Sequence, residues 1–392
     1  MGLFWLVIFF SIFEEFHASG LGSDAGAKLA PQLFSFGVEF YTKFWGLSAV
    51  ALFLSIFLIF VGFTRTIFLI SLLFSLLILV YFLLVSDASL RGTVTEFAPC
   101  FNFLTFAAFG KYMYPRIKSN SRFFLNRLLF CLISITILKI LVVSQATLDR
   151  RFVPFYDGVT LTLFAAIIVF AYLEFEKTQF FLIFCLSLFL ILVIWEVSNR
   201  RAVFFTSLIA LAFMFLMKSR RTSPILILAT FCSLLALLAV NLGEIRSVYD
   251  FSQSQSGPTR TFGHFQDLRA GYTLCAVSAN FQVQNFQSFS LVSKSSDLYV
   301  HNQVLQTCLS LGRGAAAFLF LGMISLLAFV LVLSRRSNLS SMSGFFMMII
   351  IVGLGCSLWF ANLTESIRWQ FFFGFAIGFL LSEKRYLVSA KH

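Results

Sequence analysis

Residues 178–196 read TQFFLIFCLSLFLILVIWE, an apolar run in which Glu196 is the one charged side chain. Coiled as a helix, this run would be about 28 Å long, close to the roughly 30 Å of hydrocarbon in a bilayer. A helix satisfies its own backbone hydrogen bonds, which lipid cannot do. The run therefore predicts a membrane-spanning helix.

Similar apolar runs recur along the whole chain of 392 residues. Of these residues 59% are hydrophobic, 12% are charged and 55 are Phe, which leaves too little polar surface for a water-soluble globule. We predict an all-α polytopic membrane protein with about twelve transmembrane helices. The predicted spans lie at about 2–18, 44–63, 67–86, 97–114, 124–146, 157–173, 178–196, 201–217, 222–242, 303–333, 342–362 and 366–381.

The charged residues indicate which ends of these spans face the cytoplasm. If the N-terminus is cytoplasmic, the inner loops collect basic residues and hold only three acids, Glu174, Glu176 and Glu383. The positive-inside rule then predicts that both termini are cytoplasmic. The net charge of +12 follows this topology, so it does not indicate a nucleic-acid partner. Lys139 and Arg313 fall inside predicted spans, where they could line the path of an anionic lipid.

One connection is long and polar, and it lies between the ninth and tenth predicted spans. It runs over 243–302 on the outer side, and loops of this length in compact proteins are usually functional or disordered. Seven cysteines are scattered singly along the chain. Only Cys275 and Cys308 could meet near the outer face, and the odd total argues against a complete disulfide framework.

The end of this loop carries a candidate base. In the sequence Tyr299-Val300-His301-Asn302-Gln303, His301 stands where a long apolar helix is predicted to begin. The dipole at a helix N-terminus disfavours the imidazolium form, so a neutral His301 could accept a proton from a substrate hydroxyl. The alternative is an interfacial histidine that hydrogen-bonds loop backbone.

Arginines on the same outer side are candidate anion ligands. Arg200 and Arg201 follow the span 178–196 and precede another predicted helix, while Arg260 and Arg269 lie in the long loop. Guanidinium groups bind phosphate oxygens in pairs, and a helix N-terminus adds backbone N–H donors. A diphosphate is the ligand that this pattern favours. The alternatives are a solvated turn paired with Glu196 and ordinary surface charges in the loop.

Three stretches, taken in chain order, resemble the bacterial O-antigen ligase and O-antigen polymerase superfamily. They are Arg200-Arg201, the loop that carries Arg260 and Arg269, and His301-Asn302. That superfamily shares a Ser-Arg pair at a helix start, an arginine in one large periplasmic loop, and a His-Asn followed by Gly. The resemblance covers about 180–381 and extends to Asn362-Leu363-Thr364-Glu365 before the last helix. Residues 1–180 are similar in hydropathy alone, so we divide the chain into 1–180 and 181–392.

The resemblance implies a bacterial inner-membrane glycosyltransferase that uses a glycan carried on undecaprenyl diphosphate, without a metal or other cofactor. Arg200 and Arg260 would hold the diphosphate, with Arg201 and Arg269 beside them, and His301 would activate the acceptor hydroxyl. Asn302 and Glu365 would support the site. The acceptor would be a lipid A core for a ligase or a lipid-linked repeat unit for a polymerase.

Three departures from the family pattern leave the identity of the loop ligand open between Arg260 and Arg269. The family's Ser-Arg is Asn199-Arg200 here, and the Trp and the Pro-x-x-Gly-x-Gly turn that follow the loop arginine in the family are missing. The spacing of His301 and Gly312 favours a ligase over a polymerase. The rival from another class is a lipid-oligosaccharide flippase or transporter without catalysis, for which Lys139 and Arg313 are the best support.

Overall fold

The computed structural model describes 90–145, 158–198, 207, 210–211, 269, 271–277, 302–334, 340–359 and 367–389. Over these residues the regular structure is entirely helical. The helices are α1 (Leu90–Ser119), α2 (Ser121–Gln145), α3 (Gly158–Glu174), α4 (Lys177–Ser198), α5 (Gln303–Leu311), α6 (Arg313–Ser334), α7 (Ser341–Trp359) and α8 (Ile367–Ser389). A short further helical stretch covers 271–277.

The predicted all-α class is confirmed for this part of the chain. Predicted spans at 97–114, 124–146, 157–173 and 178–196 coincide with α1 to α4, and those at 342–362 and 366–381 coincide with α7 and α8. Of the described helices, α6 is long and apolar enough to cross a membrane. The total of twelve spans and the division at residue 180 stay predictions.

The predicted single span at 303–333 is wrong, because the chain breaks at Gly312. That glycine has φ 91°, a left-handed value that L side chains rarely adopt, and it caps α5 by donating its N–H to the Cys308 carbonyl at 2.9 Å. A continuous helix over the predicted range would be about 46 Å long, well beyond the hydrocarbon thickness. The break leaves α6, at 22 residues or about 33 Å, as the segment of spanning length.

The tightest packing in the described bundle joins α1 to α8. A Cβ atom built on Gly378 would lie 1.8 Å from the Ala107 carbonyl oxygen, and one on Gly110 would lie 2.2 Å from that of Phe375. Gly374 and Gly378 form a Gly-x-x-x-Gly pair, which lets helix backbones approach closely in lipid. Rings on either side pack around this seam, with Phe106 edge-on to Phe371 at 4.9 Å between centroids.

Interhelical contacts fix the relative directions of these helices. Asn102 in the first half of α1 bonds Gln370 near the beginning of α8, and Lys118 bonds Glu383 further along both helices, so the two helices run parallel. Ser341 at the start of α7 contacts Glu174 at the end of α3, so these two run antiparallel. Parallel α1 and α8 with antiparallel α3 and α7 are the relations that the predicted alternation of spans requires.

The centre of the described bundle is α3, which is buried continuously from Val159 to Ala171. On one side it packs against α7, where Gly344 lies against Leu173 and Val169. On the other side it packs against α4, where Tyr172 contacts Phe180. A helix covered all round by apolar neighbours belongs to a core and not to a lipid-facing surface.

The α1–α8 seam predicts a position-specific response to added methyl groups. Gly378→Ala should lower the free energy of unfolding by about 2–3 kcal/mol, because its Cβ would overlap the Ala107 carbonyl. Gly322→Ala is the matched control on α6, where an added Cβ meets nothing within 4 Å and helix propensity favours Ala. SDS titration of both purified variants in micelles measures the difference. Equal stability of the two variants would contradict this packing.

Candidate functional site

The structure describes two of the seven sequence-predicted site residues, Asn302 and Arg269. The described part of the candidate site consists of these two residues, the segment 271–277 and the break at Gly312. Lys139 belongs to α2, but its side chain is outside the described part. The predicted site residues outside the described residues are His301, Arg200, Arg201, Arg260 and Glu365.

Asn302 is the N-cap of α5, as expected for a residue at a predicted helix start. Its backbone is extended (φ −145°, ψ 117°), and its side-chain Oδ1 accepts a hydrogen bond from the Leu305 N–H at 3.0 Å. Asparagine is among the preferred N-caps, because its side chain satisfies an N–H that the first helical turn leaves open. In sequence, His301 is the residue immediately before this cap.

A disulfide joins the long loop to α5. Cys275 and Cys308 are bonded, with their Cα atoms 5.6 Å apart, so the pair that could meet near the outer face does meet. Cys308 is fully buried, and Leu309 beside it is nearly so, which shows that α5 packs by this face. The bridge holds residues 271–277 against the helix that Asn302 caps.

Arg313 makes a second connection to residues 271–277, this time from the start of α6. Its Nη1 donates to the Ala276 carbonyl oxygen at 3.1 Å, and its side chain is exposed at the start of α6. The expectation that Arg313 is embedded in a span is therefore wrong. It rested on a continuous helix, and the break at Gly312 moves Arg313 from the middle of one helix to the first turn of another.

Arg269 lies two residues before the segment 271–277 that the disulfide ties to α5. Its carbonyl accepts a hydrogen bond from the Thr273 hydroxyl at 2.9 Å, and its side chain is exposed. Arg269 precedes Cys275 by six residues, as Asn302 precedes Cys308. At 1.5 Å per residue, each lies about 9 Å of helix from the disulfide. Arg269 is thus carried by a segment that is covalently tied to α5.

The described part of the chain also contains a buried polar cluster that sequence reasoning missed. Glu383 of α8 is fully buried, accepts a short hydrogen bond from the Tyr114 hydroxyl, and pairs with Lys118 at 3.3 Å. Lys118 also donates to Tyr114 at 2.8 Å. The other oxygen of Glu383, Oε1, has no hydrogen-bond partner within the described residues. The cluster joins the C-terminal halves of α1 and α8.

A second buried pair links the other halves of these helices. The Asn102 amide donates to Gln370 Oε1 at 3.0 Å, and both side chains are about 98% and 95% buried. In the sequence, Asn102 stands between two Phe residues and Gln370 directly precedes the apolar run 371–381, and these positions are the signal that could have marked them. Polar side chains inside membrane helices commonly bond across a helix interface.

No group of three or more His, Cys, Asp or Glu side chains in the described ranges could hold a metal ion. No protein-family model matches the chain, and neither does any curated protein or solved structure.

The disulfide predicts a specific pattern of thiol labelling. In the oxidised protein, maleimide should modify neither Cys275 nor Cys308 until a reductant is added, because both sulfur atoms are held in the bridge. Mass spectrometry of peptides counts the modified thiols. Cys308→Ser frees the thiol of the half-buried Cys275. A membrane-impermeant maleimide applied to intact spheroplasts should then label Cys275, because the loop that carries it is predicted to lie on the outer side. Labelling of Cys275 in the unreduced native protein would contradict the bridge.

The two ion pairs of the described helices predict unequal stability effects. Lys118→Met should lower the free energy of unfolding by about 2 kcal/mol, because it leaves Glu383 charged and buried. Arg122→Met is the control, since its pair with Glu174 at 3.0 Å is solvent-accessible and should be worth about 0.5 kcal/mol.

A double variant, Lys118→Met with Glu383→Gln, should recover at least half of the loss caused by Lys118→Met alone. SDS titration measures all the variants. If Lys118→Met and Arg122→Met cost the same, the Glu383 cluster is not a buried charge site.

Proposed function

We propose that the protein is a metal-independent membrane glycosyltransferase of the O-antigen ligase type. It would move a glycan from undecaprenyl diphosphate to a lipid A core at the periplasmic face of the bacterial inner membrane. The observation that carries the proposal is the order of Arg200-Arg201, the loop arginines and His301-Asn302, with a capped helix beginning directly after that last pair. Each of these groups suits one part of a transfer from a diphosphate carrier.

The helix start supports a base at His301. Gln303 is the first helical residue and Asn302 its cap, so His301 directly precedes the cap in the chain. The positive end of a helix dipole favours the neutral imidazole, which is the form that accepts a proton. In the proposed step, the acceptor hydroxyl gives its proton to His301 while its oxygen bonds the anomeric carbon of the donor.

The arginines suit the leaving group. As the bond between the anomeric carbon and the diphosphate oxygen breaks, the electron pair stays on the diphosphate, and Arg200 with a loop arginine would stabilise that charge. The disulfide favours Arg269 as the loop arginine, because it ties the Arg269 segment to the helix that follows His301. Arg260 stays the alternative. Arg201, Asn302 and Glu365 would position these groups.

The disulfide also supports the outer-face location of the site. Disulfides persist in oxidising compartments such as the bacterial periplasm and are rare in the cytosol. Cys275 and Cys308 flank the end of the predicted outer loop, in agreement with a cytoplasmic location of both termini.

The two rivals make different demands on the residues. A polymerase would use the same groups with a lipid-linked repeat unit as acceptor. A transporter would need polar groups near the bilayer midplane, and Arg313, one of two residues that suggested this, is exposed at a helix start and bonded to loop backbone. Lys139 is therefore the main remaining support for the transporter hypothesis.

A reconstituted transfer assay tests the proposal. The purified chain is mixed with undecaprenyl-diphosphate glycan and lipid A core, with EDTA and without nucleotide. Wild type should transfer glycan, while His301→Ala and Arg200→Ala should each lower the rate by about 10²-fold or more. His264→Ala, which alters another loop histidine, is the matched control and should keep the wild-type rate. Comparing Arg260→Ala with Arg269→Ala then identifies the loop ligand.

Each of the other outcomes has a distinct meaning. Lengthening of a lipid-linked repeat unit without transfer to core would identify a polymerase. Failure to transfer to either acceptor, together with lipid-oligosaccharide movement that Lys139→Gln abolishes and His301→Ala does not, would replace the enzyme with a transporter.

A further inference from the structure

Four arginine or lysine side chains lie close to Asn120, where α1 ends and α2 begins. They differ in whether they form an ion pair. Lys118 is neutralised by Glu383, and Arg122 by Glu174. Arg116 and Arg127 form no ion pair within the part of the chain that the structure describes, and both side chains are exposed. Among the described residues, two cations without an acidic partner therefore flank the turn at Asn120.

Aromatic rings hold both of these guanidinium groups. Arg116 lies over Tyr112 with 5.0 Å to the ring centroid, and Arg127 lies over Phe123 at 4.4 Å. Each ring precedes its arginine by four residues on the same helix face. Cation–π contact of this kind fixes a guanidinium while leaving its N–H donors free to bind an anion.

A single exposed face of α2 continues from Arg127 towards the other end of the helix. We call it the arginine stripe, and it comprises Arg127, Phe130, Ser134 and Ile137, at the three- and four-residue spacing of one helix face. Phe130 is 72% exposed and Ile137 is 51% exposed. From Arg127 to Ile137 the helix rises about 15 Å, which is half of the roughly 30 Å hydrocarbon thickness.

Charge and length together match one molecule of the bilayer. A phospholipid presents an anionic headgroup at the interface and acyl chains through one leaflet. Over one leaflet's depth, the arginine stripe presents a cation followed by two large apolar side chains, Phe130 and Ile137, with the small Ser134 between them. Basic residues at a membrane surface attract anionic lipid, and aromatic side chains favour the headgroup level. Phe123, which is 48% exposed, lies on the headgroup side of Arg127.

We propose that the arginine stripe, together with Arg116, is a binding site for an anionic phospholipid in the leaflet at this end of the bundle. Arg116 and Arg127 are four and seven residues from Asn120, so their Cα atoms are no more than about 17 Å apart along the two helices. Two guanidinium groups at this spacing can both approach the phosphate and glycerol region of one or two neighbouring lipids. The site is independent of the proposed glycosyl transfer.

Native mass spectrometry of the full chain, released from micelles that contain defined lipids, tests this site. Wild type should retain phosphatidylglycerol at least fivefold more than phosphatidylcholine. Arg127→Gln and Arg116→Gln should each weaken phosphatidylglycerol binding about fivefold, and the double variant about 25-fold. Arg127→Lys, which keeps the charge, should retain most of the binding.

Lys177→Gln is the matched control, since it removes an equal charge from an exposed residue at the start of α4, beside Glu176. Its phosphatidylglycerol binding should equal that of wild type. Phe130→Ser should weaken the binding of both lipids, because it shortens the apolar part of the arginine stripe.

Three results would overturn the proposal. The first is equal retention of the two lipids by wild type. The second is a loss in Lys177→Gln as large as that in Arg127→Gln, which would indicate attraction by general surface charge. The third is displacement of the bound lipid by millimolar glycerol phosphate, which would indicate a site for a soluble phosphate compound.

Discussion

The close approach of α1 and α8 is the contact on which the rest of the described structure depends. At Gly378 the neighbouring backbone lies where any side chain would have its Cβ atom, so the two helices can pair in one register only. Lipid gives no hydrophobic drive for two apolar helices to associate, and close backbone packing supplies dispersion contacts in its place. This register also brings Asn102 opposite Gln370 and Glu383 opposite Tyr114.

The two ends of the bundle then use polar groups differently. At the end where α1 and α8 finish, Lys118 and Arg122 form ion pairs that join helices, whereas Arg116 and Arg127 form none with the other described residues. At the α5 end, covalent and backbone contacts do the holding, through the Cys275–Cys308 bridge and the bond from Arg313 to Ala276. That arrangement leaves the side chain of Arg269 exposed on a tethered segment, as a ligand for a bulky anion would need to be.

Hydropathy was enough to predict where most of the described helices lie, because a run of apolar residues of spanning length has few alternatives to a helix in lipid. It could not reveal the break at Gly312, since apolar residues continue on both sides of it. The excessive length of the predicted span at 303–333 was the available signal. The pairing of Asn102 with Gln370 joins residues 268 positions apart, and no local pattern encodes such a contact. Of the candidate site, the helix start near residue 302 was predicted from the sequence, whereas the capping role of Asn302 and the link from the Arg269 segment to α5 required the fold.

The bridge between Cys275 and Cys308 has an evolutionary consequence. Loss of either cysteine alone opens the bridge, releases the loop and leaves an unpaired thiol at the other position. Each single replacement therefore carries two defects, of which the double replacement removes one. The two positions should therefore behave as one inherited character. Descendants of this chain would keep both cysteines or lose both, while Cys185, which has no partner to lose, is free to drift alone.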